Sequence, residues 1–285
     1  MTLFTTPLKL STLALILFFA GCSNKSTPTG TEKGLLPTTF PADFTPPNDF
    51  VTGLPLDGWG GGDGEITHTP IVFVHGNAHS AENWVTMATY FANDGYTWNE
   101  LWAVSYLQFI DSEDYNSNNG NWSEIGNFVQ DVLDYTGQSK VDIIAHSLGV
   151  TVARTWLRHT GDYDKVAHFI GIAGANHGVA FCGPNDHRGM CNELGNPDSD
   201  FLHWLNDDDE TPSDSTVQWI TVYNGANLDI FFPENALMND SSTVDLRLSP
   251  VLNGAINIQF PTIDHIHLAL SRTVYDTLKQ IAFPN

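Results

Sequence analysis

Positive charge is what this 285-residue sequence has least of. Its 11 lysines and arginines stand against 33 aspartates and glutamates, for a formal charge of −22. Such a surface repels phosphate backbones and anionic lipid headgroups, which argues against nucleic-acid binding and electrostatic attachment to an anionic membrane. The deficit belongs to the body of the chain. Without the first 39 residues, which hold Lys9, Lys25, Lys33 and Glu32, 8 basic and 32 acidic residues remain, or −24. No internal repeat is visible, so the chain is not read as a repeat array. Cysteine is scarce, with three residues, an odd number. What is plentiful is apolar side chain. At 41% hydrophobic and 12% aromatic, the chain can bury a sizeable core.

The leading apolar stretch, Leu10 to Ala20, follows Lys9 and is too short to span a bilayer. Residues 1–22 therefore read as an export signal. The ending F-F-A-G-C-S resembles a lipoprotein cleavage box with Cys22 as the acylated residue, which would tether the mature chain to a membrane by lipid. Phe19 stands where leucine is usual, so a plain signal cut near Gly21 stays open. Cys182 and Cys191 lie nine apart in a Gly/Pro-rich stretch and can pair there, which leaves Cys22 for the lipid. Residues 23–49, rich in Ser, Thr, Pro and Gly, read as a flexible linker, and residues 50–285 as the functional domain.

Within that domain, strand-like and helix-like runs alternate. Pro70 to His75, Leu101 to Tyr106, Val141 to Ala145, Val166 to Ala173, Val217 to Tyr223 and Ile256 to Phe260 read as strands. Ser80 caps a helix ending at Asp94-Gly95; Ile125, Phe128, Val129, Val132 and Leu133 form one helical face; further helices run from Leu148 to His159 and from His267 to Ile281. Continuous apolar strands alternating with amphipathic helices predict an α/β fold, a mostly parallel sheet covered on both faces. Residues 174–214 lack periodicity and read as a long loop insertion.

The run V-D-I-I-A-H-S-L-G-V carries the chemistry. A strand ends at His146 and a helix begins at once, so Ser147 sits on a tight turn at the carboxyl edge of the sheet, where ligands bind in such folds. Small residues are needed two positions either side of it, and Ala145 and Gly149 supply them. The N–H of Leu148 then points toward an oxyanion formed at Ser147. The loop after the first strand, F-V-H-G-N-A-H-S, offers His75 and Gly76, with the N–H of Asn77 as a second donor. A serine nucleophile needs a base and an orienting acid, in the order Ser, Asp/Glu, His. His265, in the loop after the last strand, is the candidate base, with His267 beginning the helix and capping it or lining its surface. His159, His168 and His203 read as surface or core residues. Asp229, just past the strand Val217 to Tyr223, is the candidate acid; Asp245 is the next choice, and Asp264 adjoins the base too closely to face its ring.

With these residues in place the chain resembles the α/β-hydrolases of the small bacterial lipase kind, lipase class 2, the group of the minimal Bacillus lipases. The resemblance lies in P-I-V-F-V-H-G, L-W-A-V, K-V-D-I-I-A-H-S-L-G, K-V-A-H-F-I-G-I-A-G-A-N, L-D-I-F-F and D-H-I-H-L, over about residues 68–281. Alanine in place of the first elbow glycine is a mark of that group. The resemblance implies an α/β-hydrolase fold and a near-minimal core. It also implies hydrolysis of acyl esters by Ser147, Asp229 and His265, with the N–H groups of Asn77 and Leu148 as oxyanion donors and no metal or organic cofactor. Minimal members lack the insertion seen here, which either walls the substrate site or decorates the surface. G-A-N-H-G-V-A-F-C is similar to secreted relatives that include polyester depolymerases. The expected activity is therefore that of a lipase or carboxylesterase, with polyester hydrolysis as the alternative; a surface binding protein on an inactive hydrolase scaffold is the rival from outside the enzymes. Trp84, Trp204, Phe231 and Phe232 either grip an insoluble substrate or belong to the core. The aspartates at 198, 200 and 207–209 have no fixed ligand spacing, so the stretch reads as a solvated acidic loop rather than a calcium site.

Overall fold

Each apolar run foreseen between residues 70 and 260 forms a strand, because β-branched and aromatic side chains fit a pleated, buried surface. The computed structural model describes residues 36–62, 64–106, 116–212 and 217–284; the export signal, Cys22 and the linker up to residue 35 lie outside the described residues. In chain order the elements are β1 (Asp57–Gly60), β2 (Ile71–Val74), α1 (Val85–Asn93), β3 (Leu101–Ser105), α2 (Asn118–Thr136), β4 (Val141–His146), α3 (Leu148–Thr160) and β5 (Val166–Ile172). There follow α4 (Met190–Leu194), α5 (Asp200–Asn206), β6 (Gln218–Tyr223), the short ribbon β7 (Ala236–Leu237) and β8 (Thr243–Val244), β9 (Ile256–Gln259), α6 (His265–Leu270) and α7 (Arg272–Ala282).

Seven strands form one sheet in the order β1-β3-β2-β4-β5-β6-β9, parallel throughout except for β1. The central strands β2 and β4 are buried along their whole length, as expected of a parallel sheet covered on both faces. Helix α2 packs on α3, while α1 packs on α6 and α7. The register pairs Val74 with Ala145 and His146 with Ile172, so the strands end together at one carboxyl edge. Helix α2 starts well before the apolar stripe that revealed it. Ser117 caps it by accepting from the Gly120 N–H at 2.9 Å, and Gly137 ends it with φ of 67°.

Four expectations need correction. Strand β1 was not foreseen: with two glycines in four residues it has no apolar alternation, and only its antiparallel pairing with β3 makes it a strand. Residues 40–44, read as linker, pack on the domain, because Phe44 is buried and Phe40 and Phe44 pack against Trp102 and Phe128. The insertion at 174–214 is not structureless; it contains α4 and α5, which are too short for a periodic signal. The last helix is two helices, broken at Ser271, which accepts from the Val274 N–H and caps α7. Consequently His265 is the first residue of α6 rather than a loop residue, and Asp264, not His267, is the cap.

Candidate active site

The junction of β4 and α3 places Ser147 in a backbone conformation that L-residues rarely adopt, φ 54° and ψ −126°. Strain of this kind costs on the order of 1–3 kcal/mol and persists only where the surroundings enforce it. Here the Ser147 N–H donates to the Ile172 carbonyl at 2.9 Å, anchoring the turn to β5. A Cβ on Gly149 would lie 2.3 Å from the His75 carbonyl oxygen, and one on Gly76 would lie 2.8 Å from the Ser147 Cβ. Both positions must therefore be glycine. Ala145 sits inside the sheet, paired with Val74 and with Gly171, and the space a Cβ on Gly171 would need is taken by Val150, 2.9 Å away.

Opposite this turn stand the two other candidate residues. His265 Nε2 is 3.0 Å from Ser147 Oγ, and His265 Nδ1 is 2.9 Å from Asp229 Oδ2. Asp229 and His265 are buried, while Ser147 is half-buried at the floor of a pocket. The other Asp229 oxygen, Oδ1, accepts from the Phe231 N–H at 3.1 Å, which fixes the carboxylate plane. Asp245 is elsewhere engaged: it is exposed and paired with Arg247 at 2.6 Å. Asp264 accepts from the His267 N–H at 3.0 Å, as a helix cap. The pocket above Ser147 has a volume of about 270 Å³, and Asn77 and Leu148 line it.

A sequence model of the family described as Lipase (class 2) matches residues 68–228, more than half of the chain. The chain belongs to the class 2 lipase family. It is thus a carboxylic ester hydrolase with an α/β-hydrolase fold. Among solved structures it is similar to the mature form of lipase BlEst2 from Bacillus licheniformis, at a TM-score of 0.55 and 19% identity, covering 78% of this chain and 96% of that one. It is also similar to lipase B of Aspergillus fumigatus, at a TM-score of 0.53 and 15% identity, covering 73% of this chain and 50% of that one. At these identities the likeness is one of fold.

In this class 2 lipase the rear of the site is a cluster of histidines that sequence reasoning only partly saw. His146 is buried, and its Nε2–H donates to the backbone carbonyl of His265 at 3.0 Å, so the elbow itself holds the start of α6. His79, not singled out from the sequence, lines the pocket and lies parallel to His146 at 5.8 Å; its place in the H-G-N-A-H loop was the available signal. His75 donates through Nδ1–H to the Gly76 carbonyl at 2.7 Å and stacks on Tyr106, whose hydroxyl donates to the His75 carbonyl at 2.7 Å. His159 and His168 serve elsewhere, the first between Trp122 and Trp204, the second paired with Asp142. His203 is exposed on α5. The proposed gripping aromatics divide: Trp84 and Phe232 are core, Trp204 packs on His159, and Phe231 packs on the His265 ring at 4.5 Å. Cys182 is bonded to Cys191. Among the described residues no group of three His, Cys, Asp or Glu is arranged to hold a metal ion.

Burial keeps these rear histidines uncharged. It holds His146 well below the usual imidazole range and pushes His75 down to about 4. His75 would titrate near 6.5 in the unfolded chain, so between pH 6.5 and about 4 the unfolded state binds the extra proton and stability falls as pH drops. At about 1.4 kcal/mol per pKa unit the loss from His75 alone is about 3 kcal/mol. We predict that His75→Asn, which keeps an N–H donor but does not titrate, shrinks the loss of unfolding free energy between pH 7 and pH 4 by about that amount. Denaturant unfolding at both pH values checks this. Equal losses in the two proteins would show that His75 does not carry the acid sensitivity.

Proposed function

We propose that this lipase hydrolyses acyl esters by covalent catalysis at Ser147, with His265 as base, Asp229 as its orienting acid, and the N–H groups of Asn77 and Leu148 as oxyanion donors. The observation that carries the reading is the unbroken relay of contacts, Ser147 Oγ to His265 Nε2 at 3.0 Å and His265 Nδ1 to Asp229 at 2.9 Å, opening into an apolar pocket. His265 Nε2 takes the hydroxyl proton as Ser147 attacks the ester carbonyl, and Asp229 stabilises the imidazolium that results. The developing oxyanion meets the Leu148 N–H, which as the first residue of α3 has no partner within its own helix, and the Asn77 N–H from the β2 loop. The imidazolium returns its proton to the leaving alkoxide. Water, activated by the same base, then frees the acid.

The mouth of the pocket favours ester presented at a surface over ester dispersed in water. Ile266, which lines the pocket, is 37% exposed, and Leu228 and Ile230, flanking Asp229, are 53% and 75% exposed. Exposed apolar side chains next to Asp229 and His265 suit a neutral lipid droplet or a polyester film, while the acidic charge disfavours anionic lipid. Secretion of the chain, with a lipid on Cys22 as a membrane tether, rests on the leader sequence, and the Cys182–Cys191 bond suits an oxidising compartment. A fluorophosphonate probe should label Ser147 stoichiometrically, and turnover should be compared on triglyceride emulsion, dispersed tributyrin and polyester film. Faster hydrolysis of the film than of either glyceride would identify a depolymerase. Failure to label would favour a binding protein on a hydrolase scaffold.

A further inference from the structure

We propose that the disulfide-closed segment from Val179 to Leu194 is the fixed wall that sets acyl-chain length, and that the pocket takes chains of about eight carbons or fewer. This rests on Ser147 being the nucleophile, as argued above.

The pocket is lined by Ser147 and His265 and by apolar side chains that include Val179, Phe181, Met190 and Leu194. These four residues come in two pairs, and the Cys182–Cys191 bond joins the pairs, since Phe181 precedes one cysteine and Met190 precedes the other. Backbone bonds close the segment on itself and fasten it on two further sides. The Val179 N–H donates to the Leu194 carbonyl at 2.9 Å, and the Ala180 N–H donates to the Phe231 carbonyl at 3.0 Å, next to the Asp229 loop. The Met190 N–H donates to the Asn116 carbonyl at 3.2 Å. Glu193, also buried, accepts from the N–H groups of Asn118 and Asn119 at 2.6 and 3.0 Å and so helps cap α2. A helix held by a covalent bond and a buried carboxylate does not swing as a lid.

A rigid wall gives a pocket of fixed depth. At about 270 Å³ this pocket lies below the roughly 300–1,000 Å³ of pockets that enclose drug-sized ligands. With the ester carbonyl and the first atoms of the leaving group also seated there, it suits an acyl chain of about eight carbons or fewer rather than a long one.

The test is a p-nitrophenyl ester series from 2 to 16 acyl carbons, run on the full, oxidised protein. We expect kcat/KM to peak at eight carbons or fewer and to fall at least tenfold by twelve. Met190→Ala and Phe181→Ala should each raise the twelve-to-four-carbon ratio of kcat/KM by about tenfold, the scale on which one methylene is discriminated in an apolar pocket. Phe181 is 54% exposed, so its substitution puts little packing at risk should Met190→Ala fold poorly. The double variant Cys182→Ser/Cys191→Ser should move the ratio the same way. Leu248→Ala, 61% exposed and outside the pocket, should not move it. A wild-type maximum at twelve carbons or more, or ratios unchanged in Met190→Ala and Phe181→Ala, overturns the assignment of the wall. Fluorophosphonate labelling of Ser147 in the same preparations separates the two failures. Labelled protein with an unmoved ratio sinks the wall alone, and unlabelled wild type sinks the nucleophile with it.

Discussion

Replacing Ser147 with alanine is expected to lower kcat/KM on p-nitrophenyl butyrate by about 10⁶-fold while leaving the fold intact. Losing the hydroxyl removes the covalent route altogether, so what survives is the activity that the oxyanion donors and the pocket give to water, typically about 10³–10⁴ over the uncatalysed rate. The structural cost is small. Ser147 makes no side-chain capping bond to α3, and its N–H still reaches the Ile172 carbonyl, so the turn keeps its anchor. Retention of more than about 1% of wild-type kcat/KM would place the nucleophile elsewhere. A shift in thermal midpoint of more than a few degrees would mean that the hydroxyl is structural.

Asp229→Asn should cost about 10⁴-fold in kcat with little change in KM, the size of effect expected when the base is held in the wrong tautomer. The contacts say which way the new amide must face. The Phe231 N–H demands an acceptor at Oδ1, so the asparagine oxygen stays there and its NH2 group turns to His265 Nδ1. Nδ1 must then accept, the proton moves to Nε2, and Nε2 can no longer take a proton from Ser147. The defect should be in kcat, because nothing in the apolar lining of the pocket has changed. As the matching control, Asp245→Asn should leave kcat unchanged, since Asp245 is exposed and paired with Arg247. A loss in Asp245→Asn with wild-type rates in Asp229→Asn would exchange their roles.

Between sequence and structure, the strands and the order of candidate residues were legible and the depth of the site was not. The runs Ile71–Val74, Val141–His146 and Gln218–Tyr223 are apolar because a parallel sheet is buried on both faces, and that requirement is written residue by residue. Strand β1 escaped because its identity comes from a partner, and α4 and α5 escaped because helices of five and seven residues show less than two full turns of periodicity. His265 was legible from its place near the chain end, but its start of α6 was not, because Asp264 and not His267 provides the cap.

The sequence by itself determined the α/β class, the turn that presents Ser147, and the small residues at 76, 145 and 149 that the turn requires. These are local demands of backbone geometry, so a few adjacent residues suffice to state them. Only the tertiary structure decided that Asp229 rather than Asp245 meets His265, that His146 fastens the start of α6, and that the insertion lines the pocket. Each of those depends on loops from different strands arriving at one edge of the sheet, and loop trajectories are set by packing and hydrogen bonds between residues far apart in the chain.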